Sequence, residues 1–275
     1  MKTNLNFEKL KNFSKLVLLS LIGIFIFLNP VPITADPPPD YVLVWSDDFN
    51  GIELDKSKWI HWSQGQRRHA IDVPEAVSLE HGNLVIRTYT VDGKHYTGVI
   101  STEGIFEKQY GYWEASICFN DFSGTFSDFW LQSSTIGVPL NDPGKAGVEI
   151  DIVEHRVFDN DFNHISGINS INLHWGDYGE HSGWDGIETE DLGLGIGYHT
   201  YGLEWTKDYY KFYIDGRLVW THTQVISHRP QFMIFSTEVQ DMLWSGPIPK
   251  EGYGTKENTI VKMYVDYVRY YELRK

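Results

Sequence analysis

Residues 209–221 read Tyr209-Tyr210-Lys211-Phe212-Tyr213-Ile214-Asp215-Gly216-Arg217-Leu218-Val219-Trp220-Thr221. Two runs rich in aromatic and β-branched residues flank an Asp-Gly pair, which supplies the positive φ that a two-residue hairpin turn demands. The stretch therefore predicts two antiparallel strands, 209–214 and 217–222. Runs of the same kind, bounded by turn residues, recur at 41–45, 76–80, 83–90, 97–101, 111–120, 126–132, 148–154, 170–175, 199–205, 231–239 and 260–271. Short strands at this spacing read as a sandwich or barrel. No window keeps a helical period, and neither a repeat nor a second domain is visible. The fold class is all-β.

Composition narrows the function. The chain has 275 residues, a formal charge of −14 and 41% hydrophobic residues, too apolar for a disordered protein. An acidic chain is a poor match for nucleic acid and, less strongly, for a polyanionic glycan. A single cysteine, Cys118, excludes an intrachain disulfide and any multi-cysteine metal centre. Lys2, Lys9, Lys11 and Lys15 precede the apolar run 16–28, and the segment closes on Ile33-Thr34-Ala35. A basic start, an apolar middle and a small terminal residue read as a secretory signal peptide over residues 1–35; an uncleaved anchor is the alternative. The expected location is secreted or periplasmic. Residues 36–40 form a proline-rich spacer and 41–275 the working domain, expected to be monomeric.

One strand carries the chemistry. Residues 147–155 are Gly147-Val148-Glu149-Ile150-Asp151-Ile152-Val153-Glu154-His155. In a regular strand Glu149 and Asp151 share a face and Glu154 points away. Two readings stay open: Glu154 is an end-of-strand charge, or a β-bulge between Asp151 and Glu154 turns it onto the shared face. Clustered carboxylates raise one another's pKa values, a cost most readily accepted for acid–base chemistry or a metal. A rigid strand is a poor cage for a hard cation. Glycoside hydrolysis needs one ionised and one protonated carboxyl across a gap that holds an anomeric carbon, which suits Glu149 and Glu154 flanking Asp151.

The string Glu149-Ile150-Asp151-Ile152-Val153-Glu154 resembles the signature of glycoside hydrolase family 16. Likeness to that family continues through Asp47-Asp48-Phe49-Asn50-Gly51, Gly82-Asn83-Leu84-Val85-Ile86, Tyr110–Ala115, Ser127–Leu131, the 199–205 block with Tyr213–Gly216, and Val265–Tyr270. The resemblance implies a jelly-roll sandwich of two curved antiparallel sheets with a substrate groove. It also implies endo-cleavage of a β-linked polysaccharide with retention: Glu149 as nucleophile, Asp151 assisting, Glu154 as acid/base. Two residues between Asp151 and Glu154 resemble the laminarinase and galactanase members. β-1,3- or mixed β-1,3/1,4-glucan is the first expectation, with a galactan of the agar or carrageenan type, transglycosylation and a non-catalytic glycan binder as alternatives. No cofactor is expected for catalysis. A structural calcium is implied at the Asp266 side chain with the carbonyls of Asp48 and Gly82.

Substrate contacts are sought among aromatic and polar residues near the carboxylates, because a flat ring matches the C–H face of a pyranose. Trp130 adjoins the catalytic strand. His174 and Trp175 follow it, Trp184 lies in a glycine-rich loop, and Trp244 opens a Trp-Ser-Gly string. His155 and Arg156 either end the strand in solvent or serve Glu154 and a neighbouring sugar. Glu238 is a charge in an otherwise apolar strand.

Overall fold

A computed structural model describes residues 37–275, so the expected signal peptide lies outside the described residues. Two large antiparallel sheets and a small mixed one make up the architecture. The first sheet contains the opening hairpin: Tyr210–Ile214 pairs with Arg217–His222 and with His199–Trp205, followed by Gly111–Cys118, Lys262–Leu273, Asn83–Arg87 and Val77–Glu80. Burial alternates strictly along Tyr210–Ile214, the mark of a strand with one face on the core.

The second sheet forms the floor of the site. Its order is Gly183–Glu188, Asn169–Trp175, Glu149–Arg156, Thr125–Gln132, Gln231–Val239, Val99–Ser101, Ile60–His61. Thr125–Gln132 and Gln231–Val239 are buried along their whole length. Phe129, Leu131, Met233 and Phe235 point between the sheets, where Phe129 and Phe235 stack with ring centroids 4.8 Å apart. Truncating a fully buried phenylalanine such as Phe235 to Ala costs about 3–5 kcal/mol. The alternate residues face outward and are covered by other side chains: Trp130, Phe232 and Ile234 cluster with Val99 under Trp62.

The small sheet pairs Gly65–Arg67, Ala70–Asp72, Lys94–Thr97 and Tyr89–Val91. Sequence patterning did not reveal it. All four of its strands are only three or four residues long, and one pairing is parallel, joining segments more than twenty residues apart. It sits at the edge of the floor, with the His69 amide donating to the Val239 carbonyl. A second difference concerns residues 183–188, expected as a loop and found as an edge strand paired with Asn169–Trp175. Gly183 is needed there because a Cβ would lie 2.0 Å from the Trp175 indole nitrogen.

Candidate active site

The catalytic strand begins after Gly147, whose φ of +103° and proximity to Ser133 leave no room for a side chain; an added Cβ would lie 2.2 Å from the Ser133 Cβ. From Glu149 the strand alternates as expected, with Glu149 and Asp151 outward and Ile150 inward. Register then slips. Asp151 faces Asn172 and Glu154 faces Ser170, so three steps on one strand match two on the other. Consecutive residues Ile152 and Val153 both enter the core, and Glu154 emerges on the same side as Glu149. All three carboxyl groups line one cavity of about 420 Å³, together with Trp130, His174 and Glu238. A second cavity of about 500 Å³ shares Glu154 and His174 with it and adds Asn172, Trp184 and Trp244.

Each carboxyl has its own surroundings. Gln132 Nε2 donates to Glu149 Oε2 at 2.8 Å, and the Tyr178 hydroxyl donates to the same oxygen at 2.5 Å. Burial raises Glu149, while Tyr178, Arg67 and Gln132 pull it down. Asp151 lies well above the carboxylate range, first through burial and then through the charges of Glu154 and Glu149. Glu154 is pushed up to about 7 by burial, with Glu149 and Glu238 adding to the effect and the Asn172 amide and Arg156 opposing it. The net direction is upward for all three carboxyl groups, and the Tyr178 and Gln132 hydrogen bonds oppose it at Glu149. Glu149, Asp151 and His174 also offer one metal-ligating atom each within 4.8 Å of one another. In Glu149, however, Oε2 is already engaged by two donors.

Strand parity sorts the expected contacts. His174 points outward, its Nε2 3.5 Å from Asp151 Oδ2, and burial lowers its pKa. Trp184 pairs with His174 across the edge strands and donates from its indole to Asn172 Oδ1 at 3.1 Å. Trp130 forms part of the floor, donating to Ser236 at 3.0 Å. Glu238 holds Arg67 at 2.5 Å and also accepts from Arg68 Nε.

Three expectations need correction. His155, one residue past Glu154, points between the sheets: it is buried, stacks on Phe119 at 4.8 Å and is satisfied by Asn169 and the Asn120 carbonyl. Trp175, one past His174, packs against the core for the same reason of alternation. Arg156 faces the groove side but lies beneath Trp244, its guanidinium 4.4 Å from that ring and paired with Glu188, so it supports the platform and does not line either cavity.

Sequence reading missed several residues of the site, Gln132, Tyr178, Arg67 and Arg68 among them. Gln132 carried a signal, since it lies two residues after Trp130 and must share its face. Tyr178 comes from a short loop with a positive φ of 59°, and Arg67 and Arg68 from the small sheet; none of these had a readable pattern. Away from the cleft, Asp48 and Asp266 are close enough to affect each other. Burial raises Asp266, Asp48 adds to this, and Arg269, 3.7 Å from Asp48, opposes it.

A jelly-roll cleft whose floor gathers three carboxyl groups beside aromatic side chains is an arrangement of the glycoside hydrolase class. Within that class the chain belongs to glycoside hydrolase family 16: residues 41–273 match the family model described as "Beta-porphyranase A-D, GH16 domain". Among curated relatives, it is 26% identical over 273 residues to the clotting factor G alpha subunit of Tachypleus tridentatus, covering 93% of this chain and 38% of that one. It is 24% identical to the keratan-sulfate endo-1,4-beta-galactosidase of Sphingobacterium multivorum (85% and 56% covered). It is also 24% identical to glucan endo-1,3-beta-glucosidase A1 of Niallia circulans (84% and 38%). The chain thus spans between 38% and 56% of the length of these relatives. The solved structure of porphyranase B from Zobellia galactanivorans superposes with a TM-score of 0.69 at 23% identity, covering 87% of this chain and 98% of that one, and supports the fold.

Proposed function

We propose that this protein is a retaining endo-glycosidase acting on a β-linked polysaccharide. The observation that carries the reading is the emergence of Glu149, Asp151 and Glu154 in one cavity across a single-residue bulge. Glu149 attacks the anomeric carbon while Glu154 protonates the departing oxygen, giving a covalent glycosyl-enzyme. Loss of the Glu149 charge on glycosylation lowers the Glu154 pKa, and Glu154 then takes a proton from the attacking water. Asp151, raised by burial and by the charges of Glu154 and Glu149, assists between the two glutamates.

For substrate, the relatives support β-1,3- or mixed-linkage glucan, since one of them is a glucan endo-1,3-beta-glucosidase. A β-galactan is the second reading, favoured by the porphyranase family model and the keratan-sulfate galactosidase relative. Arg68 adds a physical reason: its guanidinium borders both cavities, stacks 5.2 Å from the Phe126 ring and suits an anionic substituent despite the acidic net charge. A screen of laminarin, lichenan, agarose, porphyran, carrageenan and keratan sulfate, with product sizes measured, tests both readings. Absence of new reducing ends on every member would refute the enzyme. Secretion, a monomeric state and a structural calcium at Asp266, Asp48 and Gly82 belong to the same proposal. Chelation should lower the melting temperature while leaving the chemistry of the carboxylates in place.

A further inference from the structure

The exposed ring of Trp184 is tied to the acid/base through one buried side chain. Trp184 is 60% exposed, yet its indole nitrogen turns back to the neighbouring strand and donates to Asn172 Oδ1 at 3.1 Å. Asn172 is only 8% exposed, and its Nδ2 donates in turn to Glu154 Oε2. Both residues line the cavity that Glu154 shares with Trp244. The hydrolytic mechanism makes no use of this link.

Trp184 fixes which way the carboxamide faces. An indole N–H only donates, and so does an amide NH2. The end of Asn172 that meets the indole must therefore be its carbonyl oxygen, which leaves the NH2 facing Glu154. Turned round, the amide would set N–H against N–H at Trp184. The edge strand makes room for this arrangement: Gly186 stands directly across from Asn172, and a Cβ there would lie 2.1 Å from Asn172 Oδ1. A side chain at 186 would push the carbonyl off the indole. Burial raises Glu154, and the largest influence against it is the Asn172 hydrogen bond, because a donor favours the ionised carboxylate.

We propose that Asn172 is a positioning residue for the acid/base: held by the Trp184 indole and given room by Gly186, it aims the Glu154 carboxyl group, so that the aromatic platform is also part of the catalytic support. This deepens the glycosidase reading and rests on it. Other charges face Glu154 as well. Asp128 and Glu238 come from the floor strands, Arg67 and Arg68 from the small sheet, and His174 and Glu188 from the edge strands, while Glu149, Asp151 and Arg156 share its own strand. None of these is altered when Asn172 or Trp184 is replaced, so a change in the titration of Glu154 reports the link itself.

The test follows Glu154 without any substrate. Carbon-13 NMR of the full chain labelled at its glutamate carboxyl carbons tracks the Glu154 resonance through pH, assigned by its loss in Glu154→Gln. Asn172→Leu keeps the shape and removes the donor; the midpoint should move up by about one pH unit, as expected for one lost hydrogen bond to a charged group. Trp184→Phe keeps a flat ring for stacking but loses the N–H, and the midpoint should move in the same direction by less. Trp184 acts on Glu154 only through Asn172, so the double variant should titrate like Asn172→Leu alone. On the cleaved glycan, the basic limb of kcat/KM should move upward in the same order. A platform that only stacks a sugar would raise KM when altered and leave the Glu154 midpoint where it was. An unmoved midpoint in Trp184→Phe, an unmoved or lowered one in Asn172→Leu, or a double variant whose shift is the sum of the two would overturn the proposal. If the parent cleaves no glycan at all, the function has failed, and the NMR titration still decides the link.

Discussion

Asp151 and Glu154 open into the same cavity although three residue steps separate them, because their partners Asn172 and Ser170 are only two steps apart. An odd spacing in a regular strand puts two side chains on opposite faces; the bulge absorbs the extra residue into the core as the consecutive pair Ile152 and Val153. Glu154→Gln should therefore lose about 10²–10⁴-fold in kcat on a native glycan, the range for an absent general acid/base. Steady-state rates on the glycan identified by the screen would show this. Retention of more than a tenth of the activity would remove Glu154 from the mechanism.

Tyr178 and Gln132 both donate to Glu149 Oε2 and so favour its charged form. Removing one donor raises the pKa of the nucleophile. In Tyr178→Phe the acid limb of the kcat/KM profile should move to higher pH, with activity at the optimum reduced about three- to tenfold. An acid limb that stays in place would mean that Tyr178 only fills space.

Glu238 has the opposite sign. Its charge raises Glu154, which lies at about 7. Glu238→Gln takes that charge away and frees Arg67 and Arg68, and both effects favour ionised Glu154. The basic limb of kcat/KM should shift downward in pH. A shift upward would contradict the assignment of Glu154 as the acid.

Arg156 acts through Trp244. Replacing it by Met keeps much of the volume but removes the cation 4.4 Å from the ring and the ion pair with Glu188. KM should rise about two- to fivefold with kcat nearly unchanged, since a cation–π contact of about 0.5–2 kcal/mol supports binding and not the reacting atoms. Titration of the glycan against tryptophan fluorescence would report the weaker binding directly.

Most of the sandwich was legible because alternation and turn chemistry are local. The Asp215-Gly216 hairpin and the closing strand stand close to where the pattern put them. The small sheet was not legible, since three- and four-residue strands carry too few alternations and their partners are distant in sequence. In the site, the carboxylate spacing told which residues belong together but left the bulge open; whether Glu154 turns onto the face of Glu149 depends on how Ile152 and Val153 pack. His155 and Trp175 show the limit of residue type as a guide. Each sits one step from an outward-facing residue, His155 after Glu154 and Trp175 after His174, so parity sends both inward whatever their affinity for sugars. Tyr178 reaches Glu149 from a loop whose path no periodicity encodes.

The pairing of Glu149 with Glu154 across one cleft makes a stereochemical commitment. Proton NMR of the first product released from the cleaved polysaccharide reads it directly. A product that appears as the β-anomer and only later equilibrates is the predicted result. Initial appearance of the α-anomer would mean direct attack by water and would contradict the account.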